Sequence, residues 1–181
     1  MKTHIVFFIM LGLTMFACSK PVQESAAQDE PAAAGQSAVQ DDESQKNIVQ
    51  TAVSSPDHKT LVAALKAASY VDALSNAGPF TVFAPTDEAF SKLPAGTVDD
   101  LVKPENQEKL RNILEYHVYV GVIRENMMRN GMNLNQVNGQ NVKIEKNGDK
   151  LSVNKANIVA TVPTSNGIIY VVDQVLLPSP D

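Results

Sequence analysis

"PFTVFAPTDEAF", Pro79 to Phe90, is the stretch on which the reading of this chain turns. The apolar residues Phe80, Val82 and Ala84 recur at every second position, as a half-buried strand places them, and Pro85-Thr86-Asp87-Glu88 then interrupts the alternation. Thr86 suits a helix N-cap, and Asp87 and Glu88 fall in the first turn, where the helix dipole favours negative charge. Pro85, just before the cap, is placed to pack on Phe90, the fourth helical residue. Each polar residue of the stretch thus has a structural role at a strand-to-helix corner. A catalytic carboxylate would need a partner group, and none lies nearby in sequence.

Helix signals lie upstream. Ile48, Val49, Ala52 and Val53 recur at helical spacing up to Pro56; Asp57 is placed to cap a second run through Leu61, Val62, Leu65 and Ala68; Val71 and Leu74 add a further turn before Asn76-Ala77-Gly78. Downstream, Val98 to Leu101 and Leu110, Ile113, Leu114 and His117 form another amphipathic run, bounded by Gly121. The character then changes. Asn138-Gly139, Asn147-Gly148 and Asn166-Gly167 are turn dipeptides, and they separate strands predicted at 142–145, 151–153, 158–162 and 168–175. Helices in the first half and consecutive strands in the second make an α+β domain over residues 46–178, a length that supports one core.

The first quarter of the chain is different. Lys2, an apolar run from Ile5 to Phe16 and then Ala17-Cys18 read as an export signal over residues 1–17, too short for a permanent membrane span. Cys18 is the only cysteine, so no disulfide or cysteine-based zinc site forms within one chain. Its surroundings resemble the lipobox of bacterial lipoproteins, which implies a diacylated Cys18 at the start of the mature chain and a membrane anchor. Residues 18–45, rich in Ala, Gln, Ser, Pro and acid, have too few aromatic and branched aliphatic side chains to build a core and read as a disordered tether. Its acid run Asp41-Asp42-Glu43 reads as a solvated spacer.

Three stretches in order resemble the signature segments of fasciclin domains: "GPFTVFAPTDEAF" from Gly78, "LEYHV" around Tyr116-His117, and "NGIIYVVDQVLLP" from Asn166 to Pro178. The resemblance spans the whole predicted domain. It implies a wedge of β-strands flanked by helices and a role in adhesion or partner binding, with no catalytic set. The residues carried over as the structural family motif are Thr86, Asp87, Phe90, Tyr116, His117, Asn166, Gly167 and Asp173. Two positions depart from the pattern: Tyr170 stands where many relatives carry histidine, and Val162 where an acidic residue is common. The integrin-associated Arg-Gly-Asp tripeptide is absent.

Among the three histidines, His4 lies in the export signal, His58 at a helix start predicted to be exposed, and His117 behind an apolar stretch. As a general base His117 would need a partner such as Asp87 or Asp173 and a nucleophile such as Ser91 or Ser165. The competing reading is a buried ring bonded to backbone or carboxylate, tying helix to sheet. Soft metal ligands are too few for a tight transition-metal site, and no cofactor motif is present. A formal net charge of -5 without a basic stripe argues against nucleic acid. The expectation is therefore a noncatalytic, lipid-anchored cell-envelope module for adhesion or for binding a protein or polysaccharide, on the outer membrane and facing the periplasm or the cell surface. The alternatives are a periplasmic small-ligand-binding lipoprotein, which needs a sizeable apolar pocket, and a hydrolase-like enzyme built on His117.

Overall fold

The computed structural model describes residues 45–148 and 150–179. The readings of residues 1–17 as export signal and of Cys18 as lipidation site lie outside the described residues, as do Asp149 and all of the expected 18–45 tether but Gln45, whose Nε2 donates to the Pro163 carbonyl at 3.2 Å. The chain enters through α1 (Ile48–Ser54), whose Asn47 N-cap and Gln50 form a reciprocal capping box. Two short helices follow, α2 (Lys59–Ala67) and α3 (Val71–Ser75), then strand β1 (Phe80–Pro85), α4 (Asp87–Ser91), α5 (Thr97–Leu101) and α6 (Gln107–Tyr116). Six more strands complete the domain: β2 (Val118–Val120), β3 (Asn133–Asn135), β4 (Asn141–Asn147), β5 (Lys150–Val153), β6 (Ala156–Thr164) and β7 (Gly167–Val172). The α+β class and the helices-first order agree with the sequence reading.

The strands lie in the order β2-β1-β7-β6-β5-β4-β3. All neighbours are antiparallel except β1 and β7, which run parallel from Phe80↔Gly167 to Pro85↔Val172. This pair is the spine of the molecule, because apolar clusters cover both of its faces. Val82, Ala84, Ile169 and Val171 meet α1, α2, α3 and α6 on one side. On the other, Phe83, Ile168, Tyr170 and Val172 meet Val142, Ile144 and Val153 from the later strands. Here the sequence expectation fails. Alternation in β1 predicted one wet face, yet Thr81 and Phe83 are both 0 % exposed. Thr81 tolerates this because its hydroxyl donates to the Gly121 carbonyl at 2.7 Å and accepts from the Ile123 N–H at 3.0 Å.

Other local readings need correction for similarly concrete reasons. Val53 is 58 % exposed and does not belong to the buried face of α1. β2 and β3, three residues each, carry too little alternation to stand out in the sequence. The last strand ends at Val172 rather than Val175. The turn between β5 and β6 is made at Asn154 with φ +52°, a left-handed conformation that asparagine adopts more readily than most residues. Asp57 does not cap α2 with its side chain; that role falls to a residue from elsewhere in the chain.

Candidate functional site

The corner motif is consumed by the fold. Thr86 caps α4, its Oγ1 accepting from the Ala89 N–H at 3.2 Å. The Asp87 N–H donates to the Asp57 carbonyl at 2.8 Å, and its carboxylate accepts from the N–H groups of Thr60 at 2.8 Å and Lys59 at 3.3 Å. Asp87 therefore caps α2, the helix assigned to Asp57 from sequence. Burial alone would raise the Asp87 pKa, but the hydrogen bonds from Thr60 and Lys59 and the nearby His58 outweigh it and lower the value. Phe90, partly buried, packs against the helix-side cluster.

Tyr116 and His117 end α6 and point to different places. Tyr116 is buried in the strand-side cluster, with its hydroxyl donating to the Asn141 carbonyl and accepting from Asn154 Nδ2, both at 3.2 Å. His117 is buried too: Nδ1 lies 2.8 Å from the Ile113 carbonyl, and Nε2 accepts from the Leu176 N–H at 3.0 Å. Both ring nitrogens are thus held by backbone. Asp87 and Ser91 meet other partners, Ser91 Oγ donating to the Asp87 carbonyl at 3.0 Å. Asp173 receives the Asn157 N–H and Nδ2, each at 2.8 Å, and ties β6 to the end of β7. The serine–histidine–aspartate arrangement weighed for His117 is not assembled.

Asn166 is a hub whose importance exceeds that of a turn residue. Its Oδ1 accepts from the Ile48 N–H at 2.9 Å at the start of α1, while Nδ2 donates to the carbonyls of Leu74 and Asn76, both at 2.8 Å, at the end of α3. Gly167 follows it for steric reasons: a Cβ there would stand 2.0 Å from the Phe80 carbonyl oxygen, inside the β1–β7 ladder. His58, expected to be exposed, is 7 % exposed and contacts Ser55 Oγ at 2.7 Å through Nδ1. Burial lowers its pKa against the opposing pull of Asp57, Asp87 and the Ala84 backbone. Its Nε2 has no hydrogen-bond partner of good geometry among the described residues.

The concavity that sequence reasoning did not find is an open groove of about 650 Å³. It is lined by Thr161, Ile168 and Tyr170 of β6 and β7, by Val122, Arg124, Glu125 and Asn126, and by Pro79. Two hydrogen bonds tie segment 122–126 to the strands: the Tyr170 hydroxyl donates to the Ile123 carbonyl at 2.7 Å, and the Thr161 hydroxyl donates to Glu125 Oε1. Burial, reinforced by Glu125, pushes the Tyr170 pKa up to about 12, so that hydroxyl stays a donor. Arg124 lines the groove, is exposed, and makes no ion pair among the described residues. These residues come from three distant segments, so no local pattern announced them. Among the described residues no group of three or more His, Cys, Asp or Glu is placed to hold a metal. No described helix is long and apolar enough to cross a membrane.

Comparison with known proteins assigns the fold. The sequence profile of the Fasciclin domain matches residues 56–178. The chain belongs to the fasciclin-domain family. It is 42% identical over 182 residues to Protein sll1483 of Synechocystis sp., covering 98% of this chain and 99% of that one. It is 39% identical over 142 residues to Immunogenic protein MPB70 of Mycobacterium bovis, covering 75% of this chain and 70% of the relative. Among solved structures it resembles a FAS1 domain pair from the insect cell adhesion molecule Fasciclin I, with TM-score 0.66 and 20% identity. That match covers 74% of this chain and 51% of the insect one, so this fasciclin domain corresponds to about half of the pair.

Proposed function

We propose that this fasciclin-domain protein is a noncatalytic partner-binding module of the cell envelope, exported by residues 1–17 and held on the outer membrane through lipidated Cys18. The groove lined by segment 122–126 receives a protein or polysaccharide partner. The observation that carries this reading is a division of labour. The polar groups of Thr86, Asp87, Tyr116, His117, Asn166 and Asp173 are engaged in holding the fold together, whereas Arg124 stands exposed at an open groove. An open groove suits one side of a macromolecular partner better than an enclosed small molecule. Membership of a family that includes the relatives above agrees with such a role.

Crosslinking in intact envelopes followed by capture of the protein tests partner binding, with Arg124→Glu as the comparison. A partner captured by the wild type and lost in Arg124→Glu, at unchanged thermal stability, supports the groove; equal capture by both refutes it. Anchoring is tested separately. Cys18→Ala is expected to move the folded domain from the membrane pellet to the soluble fraction, since lipid chains bind the bilayer far more firmly than a polar tether. Continued pelleting after a high-salt wash refutes lipid anchoring.

A further inference from the structure

After β7 the chain runs along the surface of the domain through residues 173–179. Its first anchor is Asp173, which is bonded to Asn157 and whose carbonyl accepts from Lys92 Nζ at 2.9 Å. Its second is Ser179, which exchanges two hydrogen bonds with the Gln140 side chain, both at 3.0 Å. Between them, residues 174–178 make one hydrogen bond among the described residues: the Leu176 N–H donates to His117 Nε2. Leu176 itself is 4 % exposed, while Leu177 is 54 % exposed. The middle of this segment is thus held by one hydrogen bond, by packing of the buried Leu176 side chain and by Val175 and Leu177 lining an apolar pocket.

That hydrogen bond accepts only one form of the ring. A carbonyl can only accept, so Nδ1 must carry a proton toward Ile113; a backbone N–H can only donate, so Nε2 must keep its lone pair toward Leu176. The neutral Nδ1–H tautomer satisfies both. The imidazolium cannot, because a proton on Nε2 would face the Leu176 N–H, donor against donor. No charged group compensates. His117 lines two apolar pockets, walled by residues that include Leu61 of α2, Val82 of β1, Leu114 of α6, Val118 of β2, Ile169 of β7 and Leu177 of the segment itself, and no charged side chain lines either.

We propose that His117 and Leu176 form a proton-operated latch, in which protonation of His117 frees residues 174–178 from the domain and uncovers apolar surface while the β1–β7 spine stays folded. Burial holds the His117 pKa down from 6.5 to about 4, with only the Ile113 carbonyl opposing it. The latch is therefore closed at neutral pH. In the open state Nε2 is free of the Leu176 N–H and can take a proton, so the open form binds protons more readily than the closed one and opening is favoured as pH falls from 6.5 toward 4.

Amide hydrogen exchange followed by NMR, corrected for the intrinsic pH dependence of exchange, reads the latch residue by residue. The protection of Leu176 is expected to fall by up to about tenfold per pH unit across that window, as linkage to one proton requires. Tyr170 and Val171 in β7 keep theirs. Simultaneous loss at Leu176 and in β7 would mean ordinary global unfolding and overturns the proposal. His117→Gln, whose amide can donate and accept without titrating, is expected to make Leu176 protection independent of pH; an unchanged pH profile in that variant also overturns it. Should His117→Gln not fold, ring ¹⁵N shifts of the wild-type protein decide. Nε2 unprotonated at neutral pH, titrating together with Leu176 deprotection, supports the latch, and a protonated Nε2 at neutral pH refutes it.

Discussion

The two faces of the β1–β7 spine are stabilised by different means. On the helix side, α1, α2 and α3 have 7, 9 and 5 residues, lengths at which helices are not stable alone in water. They are joined by single polar side chains reaching between elements: Asn166 links α1 to α3, and Asp87 caps α2 from the start of α4. On the strand side, antiparallel ladders join β3 through β7, broken by a register shift at Ile158/Ala160, and the cluster is filled by large side chains, with Phe83 and Tyr170 stacked 5.9 Å apart. Short helices need polar clamps where ladders do not. A single polar substitution should therefore matter most on the helix side, and loss of apolar volume most on the strand side.

The sharpest break comes from disturbing what both faces share. Gly167→Ala places a methyl group against the Phe80 carbonyl, a backbone atom that cannot turn aside, and is expected to cost about 4 kcal/mol or more. Circular dichroism would then show loss of a cooperative melt, and a melting temperature within a few degrees of wild type would contradict the parallel register. Phe83→Ala comes next. It removes a fully buried ring from the strand side and should lower stability by about 3 to 4 kcal/mol in denaturant titration.

Asn166→Ala is the helix-side counterpart, expected to cost about 2 to 3 kcal/mol because the Ile48 N–H and the Leu74 carbonyl lose a buried partner. Its distinguishing sign is spatial. Hydrogen exchange should rise first in α1 and α3, with β4 and β5 protected as before; uniform loss across both faces would abolish the contrast drawn above. The smallest effect is expected from Asp87→Ala, about 0.5 to 2 kcal/mol for a lost cap. Asp87→Asn should recover part of it, since the amide oxygen still accepts from Thr60, and equal losses in the two variants would show that charge rather than capping is what matters.

Much of this architecture was legible in the sequence where cause and effect are close together. The Thr86 cap, the strand-to-helix corner after Pro85 and the Asn-Gly turns depend on neighbours within a few residues, and the helices-first order follows from periodicity. What was misread depends on distance. Thr81 looked like a wet position because nothing nearby reveals that Gly121 and Ile123 receive its hydroxyl. Asp87 looked as if it served only its own helix, yet its carboxylate serves one that begins at Lys59. His58 looked exposed because Pro56, Asp57 and Lys59 around it are, while the ring itself turns inward. The groove joins Pro79, Arg124 and Thr161, which no local pattern connects.

The parallel pairing of β1 with β7 also sets a timetable for folding. Its partners, Phe80 with Gly167 through Pro85 with Val172, lie 87 residues apart (167 − 80), and everything between them must be looped out before the spine can close. During synthesis the helices can form and fray as soon as they emerge, but neither face has a wall to pack against until Val172 is free. Any factor that engages the N-terminal segment early therefore meets a chain that is still open, and the domain closes only when its last strand arrives.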